Sequence, residues 1–175
     1  ICVKAKVRGT DHTGSLKTTS TVQIDYAFLR RSTQTPGERQ KPLTVLTMIE
    51  TISGMSNAVI VPQKGITPHA LAELKKFILE NGLVTSNIQT DSELGIKQLA
   101  EQLVADINGN LKLRTSATHD HQGLGSCERW HQTLFSHLRL LRLQLAEDYK
   151  INEEDITTDH PIMFWMVTHV GFIHN

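Results

Sequence analysis

Apolar and polar residues alternate through residues 20–29, and this alternation predicts a β-strand. Asp25 falls on one face of the strand, beside Gln23 and Ala27. The opposite face is apolar and consists of Val22, Ile24, Tyr26 and Phe28. A polar segment at 30–41 contains Pro36-Gly37 and predicts a hairpin loop. Two further strands are expected at 43–52 and 58–61, separated by Ser53-Gly54.

Helical spacing of apolar residues dominates the rest of the chain. Thr67 and Pro68 have the residue types of a helix N-cap and first helical position, and Asn81-Gly82 marks the end of that helix. A short strand then ends at Asp91. The remaining predicted elements are a helix around 99–104, a strand at 112–117, a long helix at 126–149 and a last helix from about 161.

This order of elements predicts an α/β fold with a five-stranded mixed sheet, antiparallel on its hairpin side and parallel on the other. The chain has 175 residues, the size of one domain, and 39% hydrophobic with 21% charged residues is typical of a globular protein. No apolar run reaches the roughly 20 residues that a membrane helix needs. The two cysteines, Cys2 and Cys127, do not make a disulfide framework and favour a reducing compartment. The net charge is zero, so the chain has no global signature of nucleic-acid binding.

Three acidic residues stand out because of their surroundings. Asp25 lies within an apolar strand, Asp91 closes a strand, and Glu128 follows a glycine turn at the start of the long helix. Taken singly, they fit a strand-edge charge, a turn residue and a favourable carboxylate near a helix N-terminus. Taken together, two carboxylates from neighbouring strands and one from a helix can hold two divalent cations for phosphoryl transfer.

The residues around these acids resemble the three signature blocks of a retroelement integrase catalytic core. The blocks are IDY at 24–26, QTDS at 89–92 and QGLGSCERWHQTL at 122–134. The resemblance is to the integrase segment of LTR-retrotransposon (copia-like) Pol polyproteins, which is similar to retroviral integrase. Thirty-six residues lie between Asp91 and Glu128, one more than the family's named interval. Ser92-Glu93 follows the second aspartate, where family members often carry a small polar residue and glycine.

The resemblance implies an RNase H-like fold and DNA integration by polynucleotidyl transfer. Asp25, Asp91 and Glu128 would be both catalytic residues and ligands of two Mg²⁺ or Mn²⁺ ions. The 3′-hydroxyl ends of retroelement DNA would be joined to target DNA. The protein would work in the nucleus as a homo-oligomer, after synthesis within a cytoplasmic polyprotein.

The resemblance also divides the chain. Residues 1–17 would be the tail of an upstream zinc-binding region, with Cys2 as one ligand and its Zn²⁺ held mainly by missing residues. Residues 18–175 would be the integrase core, C-terminally truncated; WMVTH at 165–169 is similar to the core's final helix.

Four residues are candidate DNA contacts: Lys64, Arg129, His131 and Gln132. A solvated helix face is the alternative for the last three. Trp130 and Trp165 are expected in the core or at a subunit interface. Two other functions stay open: a catalytically decayed core that only binds nucleic acid or self-associates, and an RNase H-like nuclease.

Overall fold

A computed structural model of the chain describes residues 19–30, 42–115 and 124–175. The predicted tail at 1–17, with Cys2, and the predicted hairpin loop beyond residue 30 lie outside these ranges. The strands are β1 (Thr21–Leu29), β2 (Leu43–Glu50), β3 (Ser56–Val61), β4 (Asn87–Thr90) and β5 (Lys112–Thr115). The helices are α1 (Pro68–Glu80), α2 (Leu94–Asp106), α3 (Gly125–Tyr149) and α4 (Ile162–His174), with a 3₁₀ turn at Glu153–Asp155.

The five described strands form one sheet in the order β3-β2-β1-β4-β5. β1 pairs antiparallel with β2, and β2 pairs antiparallel with β3. β4 pairs parallel with β1 on one side and with β5 on the other. The predicted mixed sheet, with an antiparallel and a parallel side, is therefore confirmed.

Each face of the sheet is covered by a pair of helices, because alternate residues of the strands point to opposite faces. On one face, Val22 and Ile24 of β1 share a buried cluster with Leu74 of α1 and Leu99 of α2. The other face is buried beneath α3 and α4; its cluster includes Ala27, Val45, Cys127, Trp130, Leu134 and Met166. Asp25 shares its face with Ala27, so it lies on the α3 side of the sheet.

The first helix begins and ends where the sequence predicts. Thr67 caps α1 by accepting a hydrogen bond from the backbone N–H of Ala70 at 3.1 Å, and Pro68 occupies the first turn. Gly82 follows the helix with a φ of +65°, a conformation that glycine adopts without steric cost.

Several element bounds differ from the predictions. β2 ends at Glu50, two residues early, because the buried Glu50 carboxylate accepts hydrogen bonds from the N–H groups of Ile52 and Ser53 and so forms a turn. β3 begins at Ser56 rather than residue 58. Trp130 is a core residue, as expected, with 1% of its surface exposed.

Trp165 is 54% exposed, so of its two expected places the core is excluded in the single chain. The reason is that α4 buries a different stripe against the sheet: Met163, Met166, Val167 and Val170. A place for Trp165 at a subunit interface stays a prediction. No helix in the described ranges is both long and apolar enough to cross a bilayer.

Candidate active site

Asp25 lies on the central strand and is partly buried beneath α3. Its carboxylate Oδ1 accepts a hydrogen bond from the Tyr26 N–H at 2.7 Å. Burial raises the pKa of Asp25 from 3.8 to about 6; the Tyr26 hydrogen bond opposes this, and the negative charges of Asp91 and Glu93 add to it. The ionised form of Asp25 therefore destabilises the fold at neutral pH, as expected of a carboxylate that binds a positively charged partner.

Asp91 follows β4 directly, next to β1 in the sheet. The last register pair of these parallel strands joins Gln23 to Gln89, so Asp25 and Asp91 each come two residues after it. Asp91 Oδ1 accepts the N–H of Glu93 at 3.0 Å, which fixes the turn into α2. The expectation that the two aspartates come from neighbouring strands agrees with this register.

The N-terminus of α3 is attached to β1 by the side chain of Gln23. The residue before the helix, Leu124, offers no capping side chain. Instead Gln23 Oε1 accepts the N–H groups of Ser126 and Cys127, each at 3.1 Å. These are the donors that a conventional N-cap residue satisfies. Gln23 Nε2 in turn donates to Gln89 Oε1 at 3.1 Å.

Glu128 lies in the first turn of α3 and its side chain is exposed. Its neighbour Cys127 is fully buried, and burial raises the pKa of that thiol. The charges of Asp25 and Glu128 both raise it further, so both carboxylates lie near Cys127. Gln23 therefore ties the helix that carries Glu128 to the strand that carries Asp25.

A second connection joins β1, β2 and α3 through Thr47. Thr47 Oγ1 donates to the backbone oxygen of Asp25 at 2.9 Å and lies 2.7 Å from His131 Nε2. Because the hydroxyl proton is used on Asp25, the imidazole must be the donor in the second bond, which assigns the Nε2–H tautomer. Burial lowers the pKa of His131, and the negative charge of Glu128 partly opposes this shift. A neutral His131 therefore holds α3 against the backbone of Asp25.

The donor set suits a hard divalent cation, because carboxylate oxygens are the ligands that Mg²⁺ prefers. The pKa of Asp25 is raised mainly by burial, with the negative charges of Asp91 and Glu93 adding to it, and a bound cation would offset both effects. In the described part of the chain, no three His, Cys, Asp or Glu side chains come close enough together to hold a metal ion. The assignment of Asp25, Asp91 and Glu128 as a metal-binding triplet stays a prediction.

Two of the predicted DNA contacts on α3 are accessible and one faces inward. Arg129 and Gln132 are exposed, and Arg129 Nη2 donates to Ser126 Oγ at 3.2 Å. His131 instead contacts Thr47. Lys64, the fourth candidate, forms an ion pair with Glu93 at 2.6 Å. Their roles toward DNA stay predictions.

Three residues of this site were missed in the sequence: Gln23, Thr47 and Glu93. Gln23 carried a usable signal, since a polar side chain two residues before Asp25 lies on the same face of an apolar strand. Glu93 carried a weaker one, as an acid two residues after Asp91. Thr47 carried none, because threonine is common in strands.

Comparison with known proteins supports the fold. No protein-family model matches the chain, and no curated protein sequence does. A chain of the simian T-cell lymphotropic virus intasome, solved in complex with PP2A regulatory subunit B56 gamma, superposes with a TM-score of 0.54 at 12% identity, over 87% of this chain and 46% of that one. The present chain thus spans less than half the length of that matched chain.

A second similar structure is the HTLV-2 integrase catalytic core domain, solved in complex with magnesium in a dimeric form. It superposes with a TM-score of 0.52 at 13% identity, over 87% of this chain and 83% of the viral domain. At these identities the likeness concerns the fold alone. With its five-stranded mixed sheet between two pairs of helices, the chain has the RNase H-like fold of integrase catalytic cores.

Proposed function

We propose that this chain is an integrase-type core that joins the 3′-hydroxyl ends of retroelement DNA to target DNA. The observation that carries the proposal is that Asp25 and Asp91 each come two residues after the last register pair of β1 and β4, in the fold of integrase cores. Gln23 fixes the helix of Glu128 to the same central strand. The order and local context of the three acids agree with this function.

The element we propose is an LTR retrotransposon of the copia-like kind, with the core released from a Pol polyprotein. The support is the likeness of the three acidic blocks, at 24–26, 89–92 and 122–134, to those of that family. Such a polyprotein would be made in the cytoplasm, and the integration of DNA into a genome would take place in the nucleus.

Asp25 and Asp91 would hold one Mg²⁺ or Mn²⁺ ion, and Asp25 with Glu128 a second. Bound cations would supply charge neutralisation at the reacting phosphate and activation of the attacking hydroxyl. The similar HTLV-2 domain was solved with magnesium. The chain's own contribution is to fix the carboxylates: the Tyr26 N–H orients Asp25, the Glu93 N–H orients Asp91, and Gln23 anchors the first turn of α3.

Strand transfer with labelled oligonucleotides and Mn²⁺ tests the proposal. Asp25→Asn, Asp91→Asn and Glu128→Gln should each abolish joining and leave the fold intact. Asp148→Asn, an exposed acid near the other end of α3, is the matched control and should keep full activity. The melting temperature with and without Mn²⁺ is a second readout, since only an intact site gains stability from the ion. Undiminished joining by all three variants would sink the assignment.

A second candidate is a core that binds DNA without catalysis. It is favoured by the finding that no three potential metal ligands converge in the described ranges. Titration calorimetry with Mn²⁺ separates the two candidates, because a catalytic site binds the ion and a decayed one does not. A labelled RNA–DNA hybrid in the same Mn²⁺ buffer tests for the nuclease alternative.

Self-association is proposed through the outer face of α4. Trp165 stacks on His169 with ring centroids 4.3 Å apart, and His169 stacks on Phe172 at 6.1 Å. Trp165 and Phe172 are 54% and 76% exposed, an unusual exposure for aromatic rings. Phe172→Ser should shift sedimentation toward the monomer, whereas Leu94→Ser, at another exposed apolar position, should not. Equal sedimentation of both variants and the wild type would contradict this interface.

A further inference from the structure

The carboxyl edge of the sheet carries an ion pair that joins two loops. Lys64 lies between β3 and α1, and Glu93 lies between β4 and α2. Lys64 Nζ is 2.6 Å from Glu93 Oε2. The two side chains are 39% and 36% exposed, so both can be reached from solvent. The pair therefore lies at the surface, near the end of β4 that Asp91 follows and within electrostatic reach of Asp25 in the middle of β1.

Lys64 is held in place by aromatic rings of β1. Its Nζ lies 4.8 Å from the centroid of the Phe28 ring and 5.8 Å from that of Tyr26. The Tyr26 hydroxyl also accepts the N–H of Gly65 at 2.9 Å, which fixes the backbone next to the lysine. An ammonium so restrained loses little freedom when it binds an anion, and this favours binding.

The second loop packs tightly against the first. A Cβ at Gly95 would lie 3.2 Å from the backbone nitrogen of Gly65 and 3.4 Å from Lys64 Cβ, so only glycine allows this approach comfortably. Glu93 is oriented at both ends: its N–H donates to Asp91 Oδ1, and its carboxylate meets Lys64. A carboxylate thus occupies an accessible cation whose charge reaches Asp25.

A carboxylate on an exposed ammonium is readily exchanged for a phosphate. An exposed ion pair is weak, whereas a DNA phosphate brings further contacts elsewhere on the protein. The lysine ammonium acts as a point charge with three donors and accepts either anion.

We propose that Glu93 is an intramolecular stand-in for a DNA phosphate on Lys64, and that bound DNA displaces it. This inference rests on the proposed function, because it takes DNA as the ligand. Lys64 is then a positioning residue that places a phosphate beside Asp25 and Asp91. Glu93 competes with DNA for Lys64 and so lowers the affinity of the protein for DNA.

A double-mutant cycle tests the exchange. Binding of a fluorescein-labelled DNA duplex is measured by anisotropy for the wild type, Lys64→Met, Glu93→Gln and the double variant, at several salt concentrations. Glu93→Gln should bind about two- to fivefold tighter, the range for removal of one exposed competitor. Lys64→Met should bind weaker by a similar factor, with the slope of log affinity against log salt reduced by about one.

The double variant distinguishes exchange from a general charge effect. If Glu93 acts by occupying Lys64, then Glu93→Gln has no effect once Lys64 is gone, and the double variant binds like Lys64→Met. If Glu93 only repels DNA by its charge, the two effects add. The exposed Lys97–Glu101 pair of α2 is the matched control, and its own cycle should be additive.

Additive effects in the Lys64–Glu93 cycle would overturn the inference, and so would equal affinities of the wild type and Glu93→Gln. Both outcomes leave the proposed function standing, because that function is tested by the activity of the Asp25, Asp91 and Glu128 variants. Conversely, a non-additive cycle in a protein that binds DNA but joins none would support the exchange and refute catalysis. Melting temperatures of the four proteins should agree closely, since both side chains are exposed.

Discussion

Replacement of Asp25 by asparagine should stabilise the fold at neutral pH. Asparagine keeps the acceptor for the Tyr26 N–H, which Asp25 Oδ1 now accepts at 2.7 Å. It removes a negative charge that is partly buried and lies near Asp91 and Glu93. A gain in stability from the loss of a proposed catalytic residue is the signature of a site in which function is favoured over stability.

The magnitude follows from the pKa of Asp25. Burial, with the neighbouring carboxylates, raises it from 3.8 to about 6. Such a difference corresponds to about 3 kcal/mol at neutral pH, and partial solvent access reduces the expected gain to about 1–3 kcal/mol. The folded protein binds the Asp25 proton more tightly than the unfolded chain does. Its free energy of unfolding therefore falls as pH rises from 3.8 to about 6, and is constant above that range as far as Asp25 is concerned.

Urea denaturation between pH 3.5 and 8, without divalent cations, measures this effect. Asp25→Asn should exceed the wild type at pH 7, and the difference should become small near pH 3.8, where wild-type Asp25 is protonated in the folded state and half protonated in the unfolded chain. Glu128→Gln is the control: it removes a carboxylate from an exposed position at a helix N-terminus and should cost a few tenths of a kcal/mol. The reasoning is refuted if Asp25→Asn gives no gain at pH 7, or the same gain at both ends of the pH range.

Two further predictions concern contacts that hold the site. Gln23→Met should lower the free energy of unfolding by about 2 kcal/mol more than Gln89→Met, because only Gln23→Met leaves the N–H groups of Ser126 and Cys127 without an acceptor. The rate of hydrogen exchange at those two amides should also rise. Equal losses in the two variants would contradict the capping role. Glu50→Gln should cost about 1–3 kcal/mol at pH 7. Burial alone would raise the pKa of Glu50, but hydrogen bonds from the turn lower it below 4.5, so its contribution is present above that pH and lost below it. A cost that persists unchanged at low pH would show that the carboxylate charge is not what the turn stabilises.

Local patterns in the sequence predicted most of the elements. Alternation located β1 and placed Asp25 off its apolar face, and Thr67-Pro68 with Asn81-Gly82 located α1. These features depend on neighbours within four residues, so a single stretch of sequence contains the whole signal. Element ends were less certain where a side chain closed a turn, as Glu50 does at the end of β2.

The side of α4 that packs against the sheet was not predicted from the sequence. When apolar residues lie all around a helix, its sequence does not indicate which stripe is buried. In α4, Trp165 and Phe172 are exposed, whereas Met166 and Val170 are buried. The sheet beneath α4 decides which stripe is covered.

By itself, the sequence determined which residues form strands and helices, and that three carboxylates lie at exceptional positions in them. Only the tertiary structure decided how these positions relate. The parallel register of β1 and β4 brings Asp91 level with Asp25, and Gln23 reaches the helix of Glu128 across more than 100 residues of chain. Lys64 and Glu93, 29 residues apart, meet because two loops end at one sheet edge. Such contacts depend on the order of strands in the sheet, which hydrophobic periodicity does not encode.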